Sequence, residues 1–223
     1  MDTDARGIQP RQSKANRRTP LVWVSLIAAM TGVAGVLSAL QDAPGHRADG
    51  VTLTPLAGRA GAGSIEAVFA TRQGLDRDRF RAIMIHHSGS TYGKPSTIEA
   101  EHVEQGLRGL GHHFVIGNGS GMDDGEVHVG YRWLDQLPGA HAVGPEAAWY
   151  NHRAISICLV GDGDRRPFTG TQMQRLIQLV NALALEMDIP ADRIVLHREI
   201  AGVSDPGMLF PIAEFREQLA NLR

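Results

Sequence analysis

Arg81-Ala82-Ile83-Met84-Ile85-His86-His87 (RAIMIHH) is the stretch from which the fold can be read. Ile83 and Ile85 alternate with Met84 and His86, the two-residue period of a buried strand, and the run closes on a pair of histidines. Similar runs follow at Phe114 to Ile116, Val127 to Trp133, Ala154 to Val160 and Arg193 to His197, separated by Gly, Asp and Pro punctuation. Helical signals fall between them. Ser96 with Glu99 has the spacing of a capping box and opens a helix through Leu107, which the Gly109 and Gly111 region ends. Thr169 with Gln172 forms a second box, for an amphipathic helix to about Met187 with Leu176, Leu179, Val180, Leu183 and Leu185 as its apolar positions. Pro211 starts a last helix ending near Leu222. Strands interleaved with helices predict an α/β fold: one domain, with a central mixed β-sheet flanked by helices.

Working outward, the domain is expected to span 64–223. Residues 41–63, rich in Gly, Ala and Pro, have neither a helical nor a strand period and read as a linker. Residues 21–40, Leu21 to Leu40, carry no charge, and twenty residues at a helical rise match the roughly 30 Å hydrocarbon core of a bilayer. Residues 1–20 before them are polar and basic, with Arg6, Arg11, Lys14, Arg17 and Arg18, so the expectation is an N-terminal transmembrane helix with a cytoplasmic N-terminus and an extracytoplasmic domain. A secreted chain after signal cleavage is the competing reading. The apolar run exceeds the usual signal core, and no clear small-x-small site follows Ala39, which favours the uncleaved anchor.

With 223 residues, 43% hydrophobic and 21% charged, the chain has an ordinary folded composition. A formal charge of −2 gives no pull toward nucleic acid, and no basic patch in the domain supplies one. A single cysteine, Cys158, excludes an internal disulfide and every multi-cysteine zinc framework. A metal would have to sit on histidines and carboxylates. His86 at the end of one strand, His197 at the end of another and Asp205 in the loop after it make a two-histidine, one-carboxylate set that leaves zinc an open position, as catalytic sites do. Strand alternation also separates neighbours: of His86 and His87, and of His112 and His113, only one of each pair can face a given site.

The segments Ile85-His86-His87-Ser88, Gly111-His112-His113-Phe114-Val115-Ile116, Gly139-Ala140-His141-Ala142, Asn151 to Val160 (NHRAISICLV) and His197-Arg198-Glu199-Ile200 with Asp205-Pro206-Gly207 occur in one order without large gaps. Together they resemble the type 2 N-acetylmuramoyl-L-alanine amidases, with the peptidoglycan recognition proteins and the phage amidase lysozymes. The resemblance implies zinc held by His86, His197 and Asp205. It implies hydrolysis of the amide between the muramic acid lactyl group and L-alanine, with peptidoglycan or a muropeptide as substrate. Zinc would make a water acidic near neutral pH and polarise the scissile carbonyl. His112 stands where the family places a catalytic tyrosine, and a histidine can also accept or donate a proton. Val203 stands where some members carry lysine, and Cys158 where another branch carries glutamate. His141 and Asn151 are candidate muropeptide contacts, each with the alternative of holding its own loop. A non-catalytic muropeptide-binding module of the same fold is the rival reading. The complete ligand set argues for the hydrolase, and the missing tyrosine and lysine argue for the binder.

Overall fold

Six strands make one mixed sheet, in the order β1-β4-β3-β5-β2-β6. They are β1 (Gly50–Leu53), β2 (Ala82–His87), β3 (Phe114–Ile116), β4 (Val127–Gly130), β5 (Ala154–Leu159) and β6 (Ile194–Leu196). The computed structural model describes residues 50–53 and 64–220. Strands β3, β5, β2 and β6 run parallel, while β4 is antiparallel to both β3 and β1. Among the described residues there are six α-helices, α1 (Pro95–Glu104), α2 (Tyr131–Leu134), α3 (Ala147–Arg153), α4 (Gly170–Glu186), α5 (His197–Ile200) and α6 (Ile212–Ala220), with short 3-10 turns at Ile65–Phe69 and Ala191–Arg193. The expected mixed sheet flanked by helices is therefore present.

The two faces of the sheet differ in chemistry, and that difference places the site. Register pairs Ile83 with Ile155 and Ile194, Ile85 with Ile157 and Leu196, and Phe114 with Ile157. One face is thus a continuous block of large apolar side chains. It packs with Leu176, Leu179, Val180 and Leu183 of α4 and with Phe215 and Leu219 of α6 in a single buried cluster. Each such side chain contributes about 1.5–3 kcal/mol on burial. The other face carries Ala82, Met84 and His86 of β2 beside Ala154, Ser156 and Cys158 of β5. Small apolar clusters with Ile98 of α1 and Tyr150 of α3 flank it. Side chains this small and polar cannot make a second large core, so polar groups can gather there.

Helix α4 starts as its capping box predicts. The Gln172 N–H donates to the Thr169 hydroxyl at 2.9 Å, and the Gln172 amide oxygen accepts from the Thr169 N–H at 3.3 Å. Gln172 is also buried, and its amide nitrogen donates to the carbonyls of Ile116 and Val160. The same residue therefore caps the helix and ties it to the carboxyl ends of β3 and β5.

Several expectations change. Gly50–Leu53 lie inside the stretch read as linker, yet pair with β4 as an edge strand, so the sheet reaches upstream of Ser64. Helix α1 does not use the Ser96 and Glu99 box. Pro95 takes the first turn, and the Thr97 hydroxyl accepts the Lys94 N–H at 3.0 Å, while Glu99 is buried. The run from Val127 to Trp133 is a strand only to Gly130. It then turns into α2, which buries Trp133 against the core with its indole N–H donating to the Val68 carbonyl. His197 ends β6 by opening α5 rather than as a strand residue. Leu185 is 84% exposed and takes no part in the α4 core stripe. Among the described residues no helix is long and apolar enough to cross a membrane. The basic segment 1–20, the Leu21 to Leu40 run and the remaining linker residues, 41–49 and 54–63, lie outside the described residues.

Candidate metal centre

His86 and His197 converge on one oxygen. His86 Nδ1 lies 2.7 Å and His197 Nδ1 2.8 Å from the same Asp205 Oδ2. The ligand-capable atoms of the three residues all lie within 4.8 Å of one another. The second carboxylate oxygen, Oδ1, accepts the His87 backbone N–H at 2.6 Å. Burial alone would raise the Asp205 pKa, but the His86 charge and hydrogen bonds from His197 and His86 outweigh it and hold the carboxyl well below the usual range. Burial also lowers the His86 pKa against the pull of Asp205. An ionised carboxylate and imidazoles with Nδ1 aimed at one point are the donor set that a divalent metal takes, so the residues present fit zinc.

Backbone architecture brings these groups together. β2 and β6 are parallel neighbours, so His86 and His197 leave the same edge of the sheet. Asp205 returns to them through a loop that the Arg198 guanidinium holds by donating to the Gly207 carbonyl at 2.6 Å. Gly207 has φ +100°, and a Cβ there would sit 2.1 Å from the Gly163 carbonyl carbon, so only glycine fits. Gly163 in turn donates its N–H to His87 Nδ1 at 3.0 Å. The Asp-Pro-Gly loop and the second histidine of β2 therefore lock against each other. His87 faces this loop, and His86 faces Asp205 Oδ2 and His197, as strand alternation predicts.

The outer ring nitrogens are also occupied. His86 Nε2 lies 2.9 Å from His141 Nδ1, the arrangement that fixes the tautomer of a ligating histidine. His197 Nε2 accepts the Val143 N–H at 3.2 Å. A ligated Nδ1 would move the imidazole proton to Nε2, so this Val143 contact is the bond of the site that has to give. The 139–143 loop that carries His141 is pinned elsewhere. Ala140 N–H donates to the Gly111 carbonyl, and a Cβ at Gly111 would lie 2.2 Å from the Ala140 oxygen. Burial pushes the His141 pKa well below its ordinary value, and its Nε2 is buried with no partner among the described residues.

His112 and His113 separate as alternation demands, although neither lies in β3 itself. His113 accepts the Ser156 N–H at Nδ1 (3.0 Å), and its Nε2 donates to the Leu137 carbonyl (3.0 Å). Both nitrogens of a neutral ring are thereby satisfied, and burial lowers its pKa to about 4. His112 faces the centre, its ring 5.1 Å from that of His86, with Nδ1 2.6 Å from the Ser156 hydroxyl. Burial holds the His112 pKa well below its usual value. His102 of α1 has its ring 5.2 Å from that of His112, tilted by 54°, and accepts the Gly111 N–H at Nδ1. Sequence patterning gave no sign of Ser156 or His102, because a serine in a strand and a histidine on a helix are ordinary residues.

Cys158 lies beside His86 in register, fully buried, and burial pushes its thiol well above the ordinary range, so it stays protonated. Val203 is a partly exposed loop residue. Of the aromatics, Trp133 and Tyr150 are buried, and the Tyr131 hydroxyl donates to the Arg108 carbonyl.

A protein-family model described as N-acetylmuramoyl-L-alanine amidase matches residues 76–208. The chain is 34% identical over 141 residues to the endolysin of Escherichia phage T7, covering 58% of this chain and 82% of that one. It is 38% identical over 113 residues to the endolysin of Enterobacteria phage T3, covering 46% and 65%. Among solved structures it is similar to the endolysin N-acetylmuramoyl-L-alanine amidase LysCS from Clostridium intestinale, with a TM-score of 0.53 and 27% identity over 67% of this chain and 90% of that one.

Asn151 spends its side chain on the loop. Its Oδ1 accepts the N–H groups of His141 and Ala142 at 2.8 and 2.9 Å, and its Nδ2 donates to the Ala142 carbonyl at 3.2 Å. These bonds occupy both lone pairs of Oδ1 and one of the two Nδ2 N–H groups, so the side chain holds the loop with one donor left over. Asn151→Ala strands two backbone donors, which costs about 1–3 kcal/mol. Calorimetry should show its Tm lower by several degrees. An unchanged Tm would return Asn151 to the role of a substrate contact.

Proposed function

The chain belongs to the N-acetylmuramoyl-L-alanine amidase family, and from that premise we propose that it is a zinc-dependent hydrolase cutting the amide between the muramic acid lactyl group and L-alanine in peptidoglycan. The observation that carries this reading is the convergence of His86 and His197 Nδ1 on Asp205. The complete set of three ligand-capable residues favours a hydrolase over a binding module of the same fold.

His86, His197 and Asp205 would hold the zinc. When bound, the metal supplies Lewis acidity, polarising a scissile carbonyl and making a water acidic near neutral pH. The rest falls to the chain. His141 orients the His86 ring, and the His87 N–H anchors the carboxylate. His112 has Nδ1 occupied by Ser156, so its Nε2 is the nitrogen left to take a proton from the attacking water and return it to the leaving amine. Neither Val203 nor the protonated Cys158 can do this. With no lysine at position 203, His112 is also the side chain available to donate toward the developing oxyanion.

The extracytoplasmic placement of the domain is a further part of this reading. It rests on the basic flank of residues 1–20 and the uncharged Leu21 to Leu40 run. A signal-cleaved, secreted chain would reach the same substrate. Protease added outside intact spheroplasts should remove the domain and leave a membrane stub. Full protection would refute the topology, and the absence of any stub would point to the secreted form.

Metal content and amide cleavage, measured together on the full chain, test the catalytic assignments. His86→Ala and Asp205→Ala should lose nearly all bound zinc. His112→Ala should keep zinc and fold while losing about 100-fold or more in rate. His113→Ala should chiefly lose stability, and His112→Tyr should retain or raise activity. Full zinc occupancy in both ligand variants would sink the metal site. A wild-type rate in His112→Ala would make that residue a bystander.

A further inference from the structure

A histidine that exchanges protons through Nε2 has to be held from behind, and the central strand supplies the holder. Ser156 grips both histidines of the 112–113 pair. Its backbone N–H donates to the His113 ring, and its carbonyl accepts the His113 N–H at 3.1 Å. Its hydroxyl meets His112 Nδ1 at 2.6 Å, with both side chains buried. The rings of His86 and His102 lie 5.1 and 5.2 Å from that of His112, tilted to it by 51° and 54°. Such neighbours limit how far the ring can swing, but a ring can still rotate in its own plane. The Ser156 contact is what fixes that rotation.

A tyrosine at position 112 would have its one polar atom at the ring tip and need no partner at the ring edge. The His112 imidazole, with Nδ1 buried, does need one, and the Ser156 hydroxyl is the group that meets it.

We propose that Ser156 is a positioning residue for the reaction: by holding His112 Nδ1, it orients the ring so that Nε2 faces the scissile amide. This rests on the reading of His112 as the proton-exchanging group. The test is steady-state kinetics of the full chain on a soluble N-acetylmuramoyl-L-alanyl peptide, with zinc content and Tm measured alongside. Ser156→Ala should lower kcat about tenfold or more, the worth of a misaligned reacting group, with KM and zinc content changed less than about twofold. Ser156→Thr, which keeps the hydroxyl, should recover most of the loss. In a His112→Tyr background the cost of Ser156→Ala should shrink at least about fivefold, because the tyrosine has no Nδ1 to hold. Equal losses in both backgrounds would make Ser156 merely structural and overturn the proposal. So would a wild-type kcat in Ser156→Ala while His112→Ala is slow. If His112→Ala itself is fast, the underlying assignment fails, and this proposal fails with it.

Discussion

Everything in the site depends on one buried carboxylate. Asp205 is ionised in a largely dry position, which is tolerable only because each of its oxygens is satisfied: Oδ2 by two imidazoles and Oδ1 by the His87 N–H. A lone buried charge would cost several kcal/mol, so the histidines and the loop have to arrive together. That requirement explains the parallel placement of β2 beside β6 and the glycine contact between residues 207 and 163. It also explains why the apolar bulk is confined to the opposite face, where α4 and α6 supply a core that needs nothing from the site.

How much of this could be read from the sequence varies with the range of the interaction involved. β2 and β5 were legible because a strand covered on both faces is written as an apolar run, and α4 because its capping box is local. Gly50–Leu53 were not, because their strand character comes from pairing with β4, far along the chain, and their composition matches a linker. The turn of the chain at Gly130 into α2 was hidden for a related reason. Tyr131 and Trp133 have strand-like chemistry, and only the burial of Trp133 against Phe80 and Phe114 shows why they are helical.

The grouping of His86, His197 and Asp205 is legible from residue types and strand ends, whereas the groups that orient these three side chains are not. For His141 and Asn151 the sequence leaves two readings, muropeptide contact or support of their own loop, and it gives no sign that the His141 ring bonds to His86. Asn151 bonds the loop through Oδ1 and one Nδ2 N–H, the second of its two readings. Such roles depend on which way a side chain turns within a loop, and sequence spacing carries no information about that. Ser156 shows the same limit from the other side, since only geometry distinguishes it from a strand residue of convenient size.

The most direct test is digestion of purified peptidoglycan by the full chain, with and without a chelator, followed by mass analysis of the released ends. The account predicts stem peptides that begin with a free L-alanine amine and glycan strands that carry a free lactyl carboxyl. Release should stop with chelator and return with added zinc. Cleavage at another bond, or cleavage undiminished by chelation, would contradict it.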